Sequence, residues 1–450
     1  MFSFRENFMI NVFKKINNLE ENTKEVFLKS FSIIIIQIIG IAARLITSII
    51  LGRILGAAGL GEINLINQVV TIVMVISMFG MDHVLVKKIA IGYSKNNQKE
   101  IGNTVYTSLV INVLIASLLT VIGVVFSRFI SITFNSLKLQ VPLIIALIVI
   151  IPQTIGGVFA SSINGYNKIW QSRLLKDFLT SIVVLLGISF FWFLEIPITL
   201  LNVILLYAFG RVFTFIIASI YWKYLFKPIF IKQFIDKSML KMAKPLLFVS
   251  ATSLLLSSVD ILMLGWLSDS SKVGLYTVST RLVLFIAFFL QITNSVLSPK
   301  IATFYFKKQY NEISLMVKQV TFGLIIIGFI SLLIFLFFGK PILGFWGEDF
   351  KEAYICLVIL CFGQFINIST GCSGILLIMS GHEKVFGYIS GVFLFLNLIL
   401  NYFLILRYDI IGAAIATTIT IAGENIVRVI IAKQKTGILT IPTGLKKLKK

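Results

Sequence analysis

Six charged side chains lie inside long apolar stretches of the sequence: Arg44, Arg211, Arg281, Arg428, Asp260 and Glu424. An arginine at the centre of a bilayer costs about 2.5–3.5 kcal/mol on insertion scales, so such a group faces a cavity or a partner rather than lipid. Four arginines against two acids describe a net cationic interior. Guanidinium groups hold phosphate oxygens through forked pairs of hydrogen bonds, so this set suits an anionic substrate, most naturally a phosphate or pyrophosphate. Asp260 and Glu424 are the candidates for coupling to H+ or Na+ or for gating. The competing reading is a set of intramembrane ion pairs that lock helices, such as Asp260 with Arg281, or Glu424 with Arg428 at i, i+4. Arg428 lies near the inner end of its run, where a long side chain can snorkel. Both readings stay open at this level.

The elements that carry these residues repeat. At an offset of 213 positions, Leu51-Gly52 falls on Leu264-Gly265, Gly61 on Gly274, Val70 on Val283 and Gly210 on Gly423. Offsets of 212 and 216 bring Lys88-Ile89-Ala90 onto Lys300-Ile301-Ala302, and Gly165 and Lys168 onto Gly381 and Lys384. The nearly constant offset, about half the chain, describes two halves of one plan. In that register Arg211 corresponds to Glu424, Asp260 to Thr47 and Arg281 to Gln68, so equivalent helices carry groups of different charge.

Composition sets the class. The chain of 450 residues is 58% hydrophobic and 13% charged, with a mean hydropathy of +0.97. That excess of apolar residues is that of a polytopic membrane protein. Twelve runs approach the roughly 20 residues needed to span a bilayer: 28–51, 62–84, 102–126, 142–165, 174–194, 198–222, 243–267, 274–297, 319–338, 352–378, 385–406 and 410–432. The expected architecture is all-α, with about 12 transmembrane helices in two six-helix bundles. It divides into a tail (1–27), a first lobe (28–222), a linker (223–242), a second lobe (243–432) and a basic tail (433–450). With the N-terminus placed inside, the inner segments and their flanks hold 29 of the 40 Lys and Arg, and the outer loops hold seven. This asymmetry predicts that both termini are cytoplasmic. Six helices per half then make the repeats parallel, related by a pseudo-two-fold axis along the membrane normal.

The formal charge of +21 follows from these basic inner loops and implies no nucleic-acid partner. The first run is too long for a cleaved signal core and is expected to act as an anchor. Apolar residues among the lysines of 1–27 allow an interfacial helix, and a solvated tail is the alternative. The linker lysines are expected to meet anionic lipid heads. Cys356, Cys361 and Cys372 lack metal-site spacing and read as buried thiols. The small and polar residues near 161–168 and 379–384 read as close helix packing and a turn. Pro142 and Pro245 fall at run starts, leaving Pro152 as the expected kink. No catalytic, phosphate-binding-loop or zinc motif is present, so neither an enzyme nor an ATP-driven motor is expected, and no cofactor beyond a coupling ion. A membrane enzyme or scaffold is the least favoured reading.

The pattern Arg44…Leu51-Gly52…Gly56…Gly59-Leu60-Gly61 resembles the polysaccharide-transport branch of the multidrug/oligosaccharidyl-lipid/polysaccharide exporter superfamily. So do Asp260-Ile-Leu-Met-Leu-Gly265, Val273-Gly274-Leu-Tyr276…Arg281, Ser298-Pro299-Lys300-Ile301-Ala302 and Gly381-His-Glu-Lys384. The likeness covers essentially 28–432. It implies a V-shaped pair of six-helix bundles with alternating access, in a bacterial inner membrane. The implied activity is a flippase that moves undecaprenyl-pyrophosphate-linked oligosaccharide units to the outer leaflet, for O-antigen, capsule or related glycans. The implied partners are that lipid-linked glycan, membrane lipids and the polysaccharide polymerase machinery. A cationic lumen, as in that family, would contain Arg44, Arg211 and Arg281. A multidrug or cation antiporter and a lipid II flippase of the same superfamily are the alternatives. Twelve rather than fourteen helices weighs against the latter.

Overall fold

The computed structural model describes residues 21–226 and 235–442. The expectations for most of the N-terminal tail, for Lys227 and Lys232 of the linker and for residues 443–450 lie outside these residues. All regular structure described is helical. In order the helices are α1 (Glu21–Met78), α2 (Met81–Ser94), α3 (Gln98–Val125), α4 (Ser127–Thr133), α5 (Gln140–Ile148), α6 (Ile150–Gly165), α7 (Ile169–Arg173), α8 (Leu179–Phe193), α9 (Leu200–Leu225), α10 (Ser238–Leu267), α11 (Ser270–Phe306), α12 (Tyr310–Leu343), α13 (Tyr354–Ser369), α14 (Ser373–Met379) and α15 (Glu383–Thr436). A π-helical turn, Leu174–Phe178, joins α7 to α8.

The twelve apolar runs fall on these helices. Among the described residues eight helices are long and apolar enough to cross a membrane, or nine if the bent pair at 169–193 forms one span. Two of the eight contain a break at a boundary between runs. In α1 the break is Gly56, at φ 68 and ψ −173, a conformation that glycine reaches without a Cβ clash. In α15 it is Asp409, at φ 47 and ψ −127, unusual for a residue with a side chain. Its carboxylate accepts a hydrogen bond from Ser268 Oγ at 2.8 Å, and the chain turns back so that Gly412 abuts the Leu404 carbonyl.

Prolines sort by position. Val149 separates α5 from α6, one turn before Pro152. Proline lacks the N–H for that turn and its ring crowds the carbonyl four residues back, so the interruption is local in origin. Pro245 departs from expectation. Its helix starts at Ser238, so the proline lies in the interior of α10 rather than at its start.

Polarity is arranged as lipid requires. Buried positions include Ser77, Thr107, Ser108, Asn112, Ser161 and Ser162, whereas Trp192, Phe193 and Phe306 are exposed. Several buried hydroxyls bond back to the carbonyl four residues earlier, as Ser161 does to Gly157 and Ser162 to Val158. Gly165 admits Ile89 so closely that a Cβ there would stand 2.7 Å from it. Small residues let helices meet where no hydrophobic drive exists between them. The protein is a multi-pass membrane protein. Cys356, Cys361 and Cys372 are buried free thiols.

Two compact units emerge. The first comprises the chain up to Thr47, Ile72–Val124 and Ile144–Ser250, and the second comprises Ser48–Thr71, Val125–Leu143 and the chain from Ala251. The first unit has a core of Leu85, Ile89, Ile101, Val158, Ile163 and Trp222. Met239 and Ala243 of α10 pack on Met81 and Val84 of α2. Beside them Lys88 pairs with Asp236, whose own N–H donates to Thr107 Oγ1 at 3.0 Å. The Lys88 ammonium, then Ser238, hold the Asp236 carboxyl below its ordinary pKa.

Within the second unit, residues 57–61 cross residues 270–274. A Cβ at Gly61 would overlap the Ser270 carbonyl, and one at Gly274 would overlap the Ala57 carbonyl. Ala57 and Ser270 are themselves 213 apart, like Gly61 and Gly274. The contact is therefore reciprocal, each half presenting the same two positions to the other. The flanks follow suit. Gly52 makes room for Trp346 and Gly265 for Leu65 and Phe134. Arg53 Nε donates to the Phe345 carbonyl at 2.7 Å, Asn135 to the Ser268 carbonyl at 3.0 Å, and Trp346 Nε1 to Ser48 Oγ at 3.0 Å.

Candidate functional site

Among the described residues, a cluster of polar groups inside apolar helices surrounds Asp260, in the second unit. α10 supplies Asp260 and α11 supplies Tyr276. The two arms of α15 on either side of Asp409 supply Asn397 and Asn401, then Thr417 and Thr420. Residues 397 and 401 are one turn apart, as are 417 and 420, so each pair shares a helix face. The fold-back at Asp409 lets both arms reach the same carboxylate. Asp260 Oδ1 accepts from Asn401 Nδ2 at 2.7 Å. Asp260 Oδ2 accepts from Tyr276 OH at 2.8 Å and from Thr417 Oγ1 at 2.6 Å, and the two hydroxyl oxygens are 3.1 Å apart. Asn401 also donates to Asn397 Oδ1 at 3.0 Å, and Asn397 to Thr420 Oγ1 at 3.2 Å. Asn401 Oδ1 is buried without a partner. The result is a carboxylate held by one amide N–H and two hydroxyls, with Asn401 Oδ1 left unpartnered on the same amide. Carboxylate, hydroxyl and amide oxygens are ligands for hard cations, and the carboxyl can instead hold a proton.

The ion pairs expected from the sequence are resolved one by one. Glu424 pairs with Arg428 at i, i+4. Arg428 also donates to Ser390 Oγ at 2.9 Å and lies 4.3 Å from the centre of the Phe386 ring. This is the helix-locking arrangement. Asp260 instead takes the hydroxyls and amide above, and Arg281 NH2 donates to Asn64 Oδ1 at 2.7 Å. In the first unit, Arg44 lies over the Phe178 ring at 5.1 Å. Arg211, only 8% exposed, lies 5.9 Å from the centre of the Tyr207 ring. Arg44 and Arg211 thus belong to the first unit, and Arg281, Arg428, Asp260 and Glu424 to the second.

Sequence reasoning missed Tyr276, Asn397, Asn401 and Thr417 around Asp260, Asn64 beside Arg281, and Phe178 beside Arg44. The available signal for the asparagines was an i, i+4 amide pair inside an otherwise apolar run.

Comparison with known proteins agrees with this architecture. The family model described as "Polysaccharide biosynthesis protein" matches residues 26–305, and the MatE model matches residues 245–403. The capsular polysaccharide biosynthesis protein CapF of Staphylococcus aureus is 29% identical over 177 residues, covering 39% of this chain and 45% of its own. The probable low-salt glycan biosynthesis flippase Agl15 of Haloferax volcanii is also 29% identical over 177 residues, covering 38% of this chain and 36% of its own. The match thus spans less than half the length of either curated relative. An inward-facing multidrug resistance MATE family transporter of the MOP superfamily superposes with a TM-score of 0.76 at 12% identity, over 88% of this chain and 94% of its own, which is a likeness of fold. On the match across 26–305, the chain belongs to the polysaccharide biosynthesis protein family of membrane proteins.

Proposed function

We propose that the protein is a flippase for undecaprenyl-pyrophosphate-linked oligosaccharide units in a bacterial inner membrane, working by alternating access and handing its product to polysaccharide polymerase machinery. The observation that carries the reading is the placement of arginines inside apolar helices of both units, in a chain of this family. Arg44 and Arg211 of the first unit engage the pyrophosphate by charge and forked hydrogen bonds, while the lipid tail stays in the bilayer. Arg281 of the second unit is an anion contact of its own. Arg428 is tied to Glu424 and serves the second unit's packing. Asp260, ringed by Tyr276, Asn401 and Thr417, takes up H+ or Na+ and resets the cycle. A membrane potential, negative inside, favours outward movement of the anionic headgroup by about 2.3 kcal/mol per charge per 100 mV.

The test is leaflet translocation of a labelled undecaprenyl-pyrophosphate oligosaccharide in proteoliposomes, with and without pH, sodium or potential gradients. Transport by the native chain that falls at least tenfold in Arg44→Ala and Arg211→Ala supports the reading. Unchanged transport in both correctly inserted variants sinks the arginine path. A second reading, a multidrug or cation antiporter, draws on the MatE match over 245–403 and on the acidic Asp260 cluster. Efflux of organic cations, without movement of the lipid-linked glycan, would favour it.

A further inference from the structure

We infer that Phe178 is the positioning residue for Arg44, holding its guanidinium where an anionic headgroup meets it; this rests on the reading of Arg44 as a substrate-binding group. Gly40 and Arg44 lie one turn apart on α1 and share a face. The Phe178 ring occupies the space that a Cβ at residue 40 would take, and the Arg44 guanidinium stands 5.1 Å from the ring's centre. That separation is within the range of a cation–π contact, which strengthens where water is excluded. The glycine is therefore a socket. It brings the ring close enough to α1 to hold the arginine one turn further on.

The backbone that delivers the ring is itself unusual. Phe178 ends the π-helical turn Leu174–Phe178 with φ −126 and ψ −31, away from α-helical values. A π turn inserts an extra residue into a helix and re-aims the side chains that follow, and such turns occur frequently at functional sites. Two residues on, Thr180 packs against Gly210, its Cγ2 3.2 Å from where a Cβ there would stand. Thr180 Oγ1 lies 3.2 Å from Thr214 Oγ1 of α9. Gly210 precedes Arg211. One segment, 178–180, thus grips both the helix that carries Arg44 and the helix that carries Arg211. A ring face holds a guanidinium through its plane rather than through a hydrogen bond, so the contact fixes the orientation in which the planar fork is presented.

The experiment measures binding of geranylgeranyl pyrophosphate to the full chain in nanodiscs, beside the leaflet assay. Phe178→Leu is expected to weaken binding about fivefold to tenfold, and Phe178→Trp to restore it to within about twofold. The double variant Phe178→Leu/Arg44→Ala should bind no more weakly than Arg44→Ala alone, because both changes remove one interaction. Phe178→Met replaces Phe178→Leu if the latter fails to fold. The inference is overturned if either aliphatic variant binds like the native chain, if Trp does not restore binding, if the double variant loses the product of the single losses, or if the native chain does not bind the probe. Phe178-dependent binding without translocation would instead overturn the flippase reading alone.

Discussion

The Asp260 carboxylate accepts hydrogen bonds from Asn401, Tyr276 and Thr417 while Asn401 Oδ1 stays buried and unpartnered. A buried acceptor without a donor costs about 1–3 kcal/mol, and a bound cation relieves that cost at once. Asp260→Asn is therefore expected to abolish the ion dependence of transport while the protein still folds. A sodium or pH titration of flipping by the variant checks this, and an unaltered ion response would remove Asp260 from the coupling role. Glu424 behaves differently. Its carboxylate and the Arg428 guanidinium are both largely buried, at 12% and 15% side-chain exposure. Breaking such a pair from one side is expected to cost about 3 kcal/mol or more, whereas replacing both with apolar groups costs less. Glu424→Gln and the double Glu424→Leu/Arg428→Met, compared by thermal unfolding in detergent, should show this order. All six charged residues were legible in the sequence because each violates an apolar run. Their partners were not: Asn397, Asn401 and Thr417 are uncharged, and polar residues of that kind are ordinary helix-packing groups in membranes. Only the fold-back at Asp409 brings them to Asp260.

Among the elements, the crossing of 57–61 with 270–274 leaves no space for side chains at Gly61 or Gly274. Gly61→Leu is expected to separate these helices and lower stability by about 1–3 kcal/mol through overpacking. Gly323→Leu, at a helical glycine where a Cβ would meet nothing within 4 Å, is the control expected to keep the native melting temperature. The strap between Lys88 and Asp236 makes a smaller contribution, about 0.5 kcal/mol after screening, since Asp236 is 35% exposed. Its sign with pH follows from the lowered Asp236 pKa. The stabilisation is fully present above the ordinary carboxylate range and disappears as pH falls below it. Asp236→Asn should therefore melt slightly below the native chain at pH 7, and the difference should vanish only once pH has fallen through the lowered Asp236 value. Helix positions were legible because bilayer-length apolar runs have few alternatives. The Val149 interruption could be read from Pro152. The start of α10 at Ser238 could not, because its first turns carry Lys241 and Lys244 and fall below the apolar threshold.

At the scale of the whole chain, the bias of Lys and Arg toward one set of loops predicts that Lys272 and Lys340 meet the outer solution and Lys95 the cytoplasm. Single cysteines at these positions, in a background lacking the three native ones, should react with a membrane-impermeant maleimide from opposite sides. The steady offset of 213 is a repeat in the sequence, and it does not say which repeated positions touch. Gly61 against Ser270 and Gly274 against Ala57 supply that answer. A contact in which each partner offers the same patch is the kind two identical molecules make across a two-fold axis. The interior of this unit thus retains the form of a homodimer interface. A half-length ancestor would have met its own copy here, and one glycine in a single gene would have served both sides before duplication and fusion turned it into two.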